Sequence, residues 1–97
     1  MIKTSGNRVS PTEIEEAVVG TGLTDEAVAI GLPDEKLGAA ILVVARGSGE
    51  AEESMRMALK RELPSYMQPA RIVWLAELPR SANGKVDRAA LKAAYGS

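Results

Sequence analysis

The chain contains neither cysteine nor histidine. Thiol nucleophiles, disulfides, imidazole general bases and ordinary zinc sites are therefore excluded within it, and with them most self-contained hydrolase mechanisms. No metal ligands are expected. Phenylalanine is also missing and aromatic residues make up 3% of the 97, too few for a surface that stacks on bases. A formal net charge of -1 gives no basic footprint for nucleic acid. No stretch approaches the roughly 18 consecutive apolar residues of a membrane span, and the N-terminus lacks the apolar centre of a signal peptide. The expected compartment is the cytoplasm.

What is present is a single small domain's worth of aliphatic residues, with 45% of the chain hydrophobic and room for one modest core. The charges are segregated. Pro11 to Glu35 holds seven acidic residues, Glu13, Glu15, Glu16, Asp25, Glu26, Asp34 and Glu35, and no basic one, whereas from Arg80 onward four cations face only Asp87. The C-terminal end therefore reads as locally positive, which fits an approaching anion.

Ile2-Lys3-Thr4 and Arg8-Val9 have extended character around Ser5-Gly6-Asn7 and predict a small hairpin. A domain seldom opens inside a strand, so the chain reads as part of a larger protein. Ser10-Pro11-Thr12-Glu13 predicts a helix start, with Ser10 as N-cap, Pro11 at the first helical position and Glu13 closing a capping box. That helix should run to Val19, bury Ile14, Ala17 and Val18, and stop at Gly20 and Gly22. Ala27 to Leu32 predicts a strand turned by Pro33-Asp34-Glu35-Lys36, and Ala39 to Ala45 a second strand, apolar throughout and so covered on both faces. A helix over Ala51 to Leu63 burying Met55, Ala58, Leu59 and Leu63, ended by Pro64, leads through a rigid connector into a third strand, Arg71 to Ala76. Asp87 should cap a last helix, with Val86 and Leu91 as a hydrophobic staple and Ala90, Leu91 and Ala94 facing inward. The class is α+β, a small three-stranded sheet packed with helices and preceded by the hairpin.

Between the third strand and the last helix, Ala82-Asn83-Gly84-Lys85-Val86 places one cation at the tip of a glycine turn. Asn-Gly readily adopts positive φ, and a lysine following it projects into open space, where its ammonium suits a phosphate or a carboxylate. A phosphate-cradling P-loop is excluded, because the positions that would need glycine and Ser or Thr hold Pro79 and Val86. Lys85 would act as a point charge on a mobile loop. Read in isolation, the segment is a surface turn with a solvated lysine.

Three separated motifs nevertheless resemble one family in order and spacing. Ile2-Lys3-Thr4-Ser5-Gly6-Asn7-Arg8-Val9-Ser10-Pro11-Thr12-Glu13-Ile14-Glu15 resembles the hinge-side hairpin of the C-terminal lid domain of adenylate-forming enzymes, the superfamily of acyl-CoA synthetases, peptide-synthetase adenylation domains and luciferases. Leu63-Pro64-Ser65-Tyr66-Met67-Gln68-Pro69 resembles the motif that follows in that family, and Leu78-Pro79-Arg80-Ser81-Ala82-Asn83-Gly84-Lys85-Val86-Asp87-Arg88 its terminal lysine motif. The resemblance implies that residues 1–97 form one lid domain covering a large N-terminal domain, which would hold ATP with Mg2+ and the carboxylic acid substrate. Lys85 is implied as the lysine that contacts the carboxylate and α-phosphate during adenylation. Lys3 is implied on the hinge side, and Ser5, Gly6 and Arg8 on the side of coenzyme A or carrier-protein pantetheine, where the lid rotates for thioester formation. Taken alone, Gly6 is a turn residue and Arg8 a solvated charge. Ser10-Pro11 looks like the ligase version of the hairpin, so an acyl-CoA ligase is expected. The alternatives are a peptide-synthetase lid and a non-catalytic interaction module of the same fold.

Overall fold

The computed structural model describes residues 2–4, 6–36 and 38–95. Strands β1 (Ile2–Thr4) and β2 (Asn7–Val9) form the antiparallel hairpin, with Ile2 opposite Val9 and Lys3 opposite Arg8. Helix α1 (Pro11–Gly20) follows, then β3 (Ala27–Asp34) and β4 (Gly38–Arg46), a 3-10 turn at Gly49–Ala51, helix α2 (Glu52–Glu62), a second 3-10 turn at Ser65–Met67, strand β5 (Arg71–Leu75) and helix α3 (Arg88–Tyr95). The main sheet has the order β3-β4-β5, antiparallel between β3 and β4 and parallel between β4 and β5. This is the α+β arrangement the periodicities predict.

Central β4 explains the lack of alternation in its sequence. Ile41 and Val43 point into a core built with the hairpin residues Ile2 and Val9, with Ile14 and Val18 of α1, and with Met55 and Leu59 of α2. Leu42 and Val44 point the other way, against Val28, Ile30, Leu78 and Leu91. Both faces are covered, so every position from Ile41 to Ala45 is buried. Each fully buried aliphatic side chain contributes about 1.5–3 kcal/mol, and two such layers share one strand. The hairpin and α1 thus lie on one face of the sheet, and the segment from Leu78 to Tyr95 lies on the other.

Several local expectations are corrected. Ser10 flanks α1 without a side-chain capping bond. Pro11 at the first helical position removes one orphan donor, and the helix is held by the complete burial of Ile14 and Val18. Strand β3 runs on through Pro33 to Asp34, since it is an edge strand, where a residue lacking an N–H is tolerated. Beyond it Asp34 Oδ1 accepts the Lys36 N–H at 2.9 Å. In α3 only Leu91 is buried, while Ala90 and Ala94 face solvent. The staple is present all the same, because Val86 and Leu91 pack in the same cluster and Asp87 Oδ1 accepts the Ala90 N–H at 3.0 Å.

Two side chains fix the remaining connections. Gln68 Nε2 donates to the carbonyls of Leu59 (2.7 Å) and Leu63 (2.9 Å), so the Leu63-to-Pro69 connector caps α2 instead of merely ending it. Gly31 lets the hairpin close over β3: a Cβ there would lie 3.1 Å from Cγ2 of Ile2. No helix among the described residues is long and apolar enough to cross a membrane.

Candidate functional site

The segment bearing Lys85 is a closed turn. Arg80 and Val86 form an isolated antiparallel bridge, Ser81 N–H donates to the Lys85 carbonyl at 2.7 Å, Gly84 N–H donates to the Ser81 carbonyl at 2.9 Å, and Asp87 N–H donates to the Pro79 carbonyl at 2.8 Å. Gly84 has φ +80°, the left-handed conformation for which glycine is suited. The loop expected from the sequence has a backbone laced on both sides of the tip. Lys85 itself is exposed, and its ammonium has no hydrogen-bond or ion-pair partner among the described residues.

The local positive charge is likewise corrected. Two of the four C-terminal cations are neutralised in the fold by the acidic N-terminal segment. Arg80 Nη2 lies 2.6 Å from each carboxylate oxygen of Glu26, and Arg88 reaches both oxygens of Glu15, with Nη1 at 2.7 Å and Nη2 at 3.0 Å. The hydrogen bond and charge of Glu26 raise the Arg80 pKa above its ordinary value, and the hydrogen bond to Glu15 does the same for Arg88 against the opposing effect of burial. A raised guanidinium pKa stabilises the folded state at every pH below the ordinary value, so both arginines stay charged throughout the neutral range. The separation of charge along the chain is largely a record of which ends pair.

Glu15 is the less accessible partner, with a side chain only 14% exposed. Its Oε2 also accepts the N–H of Ala29 at 2.8 Å, while Arg88 Nη1 donates to the Ala29 carbonyl at 3.4 Å. The ion pair thus satisfies both outward backbone groups of one residue on the free edge of β3, and it ties α3 on one face to α1 on the other. Glu15→Ala would leave a buried N–H without its charged acceptor. It is expected to destabilise the 97-residue chain by about 1–3 kcal/mol and to lower the melting temperature by roughly 5–20 °C. Thermal unfolding followed by circular dichroism checks this, and an unchanged melting curve would mean that water replaces the carboxylate.

The candidate residues do not share one pocket. Lys3 lines a cleft of about 340 Å³ together with Arg88 and Lys92, floored by Ile30 and Gly31. Gly6, Arg8 and Lys85 do not line it. Gly6 sits in the hairpin turn at φ +79°, with nothing within 4 Å of a built Cβ. Its backbone conformation accounts for glycine without reference to a ligand. Arg8 is exposed directly across the hairpin from Lys3, a cross-strand pair of like charges that is unfavourable unless an anion is near. Ser5 lies outside the described residues. Sequence reasoning gives no site role to Glu15, Glu26, Arg80 or Arg88. Their signal was the matching of an acid-only segment to a basic one, joined to the helical spacing that sets Glu15 beside the buried Ile14 and Val18.

Residues 13–85 match the family model of the AMP-binding enzyme C-terminal domain, and the chain belongs to that family. It is 43% identical over 94 residues to a component of the linear gramicidin synthase of Brevibacillus parabrevis, covering 93% of this chain and 2% of that protein. It is 34% identical over 97 residues to the long-chain-fatty-acid–CoA ligase FadD13 of Mycobacterium tuberculosis, covering 98% of this chain and 19% of that one. Among solved structures, a Mycobacterium tuberculosis fatty acyl CoA synthetase superposes with a TM-score of 0.89 at 28% identity, over 99% of this chain and 20% of its own. The chain thus spans a fifth or less of the length of these relatives.

Proposed function

We propose that the chain is the moving C-terminal domain of an ATP-dependent, AMP-forming acyl-CoA ligase, bringing Lys85 to the reacting carboxylate and α-phosphate. The observation that carries this reading is the partnerless, exposed Lys85 on a turn whose backbone is fixed on both sides. Attack of a carboxylate on phosphorus brings two anions together, and a cation delivered by a closing domain lowers the energy of both approach and transition state. Because the backbone of the turn is bound on both sides, a large displacement of the cation requires the whole domain to move. In this reading ATP, its Mg2+ and the carboxylic acid are held by a large N-terminal domain, which is the domain's principal partner.

The hairpin serves the second half-reaction. Lys3 and Arg8 offer paired cations to an anionic thiol carrier, and Gly6 keeps its turn free of a side chain where a pantetheine arm would pass. Coenzyme A as acceptor is favoured by Ser10-Pro11 in the hairpin motif and by the 34% identity to a fatty-acid–CoA ligase. A carrier-protein acceptor has its own support in the 43% identity to a gramicidin synthase. Supplying each thiol in turn to the full-length enzyme with a preformed adenylate separates the two.

The reading as a whole is tested on the 97-residue chain alone. It carries the moving cation and, in this reading, none of the pocket that fixes the reactants. Exchange of pyrophosphate into ATP with a panel of carboxylic acids is expected to stay at background. Clear turnover by the isolated chain would overturn the assignment.

A further inference from the structure

Lys85 stands on a support that reaches back to the main sheet through one arginine. Arg80 Nη1 donates to the carbonyl of Gly84 at 3.2 Å, the peptide group immediately before Lys85, while its Nη2 is engaged by both oxygens of Glu26 at 2.6 Å. Glu26 is fixed in turn. Its carbonyl accepts the Arg46 N–H at 2.9 Å, at the end of β4, and both its carbonyl and its N–H bond to the hydroxyl of buried Thr24, at 3.0 and 3.3 Å. The links run without a gap from β4 to Glu26, to Arg80, to the Gly84 carbonyl and so to the stem of Lys85.

We propose that Arg80 is a positioning residue for Lys85, holding the tip of the turn through the Gly84 carbonyl while Glu26 anchors its guanidinium. The pair is partly exposed, with side chains 41% and 25% accessible, and exposed ion pairs contribute little to folding stability. What such a pair supplies is geometry. A planar guanidinium can hold a carboxylate with one nitrogen and a carbonyl with another, which a single ammonium at the same position cannot do. A four-carbon stem is flexible, so the placement of its ammonium depends on where its backbone is held. Displacement of a reacting group by about 1 Å is enough to cost about a hundredfold in rate.

The inference rests on the reading of Lys85 given above, and the test separates the two. In the full-length enzyme, Arg80→Met and Arg80→Lys are expected to lower the kcat for adenylation about tenfold to a hundredfold. The Michaelis constants for ATP and acid should change little, and thioester formation from a preformed adenylate should stay within about twofold. In a Lys85→Ala background, Arg80→Met should cost nothing further, because it acts only through that lysine. A second readout does not depend on activity. In the 97-residue chain, backbone amide order parameters at Gly84 and Lys85 should fall from about 0.85 to below about 0.6 when Arg80 is replaced by Met. Additive losses in the double variant, equal losses in both half-reactions, or unchanged order parameters would overturn the proposal. If Lys85→Ala itself leaves adenylation at the parent rate, the reading of Lys85 fails, and falling order parameters would then mark Arg80 as a support of the turn without a part in catalysis.

Discussion

Lys85→Ala in the full-length enzyme is expected to depress adenylation by about a hundredfold to a thousandfold, the range typical for removing one group that meets charge developing in a transition state. Transfer of the acyl group from a preformed adenylate to the thiol should change by less than about threefold. The asymmetry follows from where the side chain sits. Its ammonium is exposed and touches no hydrogen-bonding partner among the described residues, so its loss removes nothing that holds the domain together. The turn that carries it is closed by backbone hydrogen bonds and by Arg80, all of which remain in the variant. Pyrophosphate exchange reads the first half-reaction and single-turnover thioester formation reads the second. Equal losses in the two would mean that Lys85 secures the domain generally and has no particular part at the phosphate.

The hydrogen bonds of that turn bear on how the motion is to be pictured. The backbone of the turn is bound to the sheet, so the four-carbon stem is the part of Lys85 left to move locally. Arg80 ties the turn to the start of β3 through Glu26, and Arg88 ties the first turn of α3 to α1 through Glu15. Segment 80–88 is therefore tied both to the start of β3 and to α1, although it and α1 cover opposite faces of the sheet. If, as proposed, the domain presents Lys85 in one reaction and its hairpin in the next, the two ion pairs and the two packed cores would carry both sites together.

Most of this architecture was legible in the sequence where one signal dominated. The unbroken apolar run of β4 announced a strand buried on both faces, and Gly6 and Gly84 marked turns that the structure closes at positive φ. Legibility failed where two weak signals compete. Ser10-Pro11-Thr12-Glu13 reads as a capping box, yet the hydrophobic contacts of Ile14 and Val18 settle the helix without one. Pro33 reads as a turn residue, and only knowledge that β3 lies at the sheet edge lets the strand continue through it. The site failed in a more instructive way. Lys85 stood out because its neighbours in sequence form a recognisable turn, whereas Glu15 and Glu26 act on that region from 73 and 54 residues away. A periodicity cannot report a partner at that separation, although the complementary charge of the two segments could have suggested it.

Gly6→Leu is expected to lower thioester formation at least tenfold while leaving adenylation within about threefold of the parent. With φ at +79°, any residue bearing a Cβ is strained there by about 1–2 kcal/mol, although the space around it is empty within 4 Å. Strain alone would act on both half-reactions through the stability of the domain, and Gly6→Ala imposes the same strain with almost no added bulk. Leucine adds a side chain in the open space around the turn, where in the proposed reading a pantetheine arm would pass. The comparison of alanine with leucine therefore isolates bulk from conformation, and melting curves on both variants verify that they fold. In the proposed reading adenylation draws on Lys85, which is in a different turn on the other face of the sheet, and should be indifferent to either substitution. If Gly6→Leu transfers its acyl group no more slowly than Gly6→Ala, no thiol carrier passes the hairpin at this point, and glycine is present only because the turn needs positive φ.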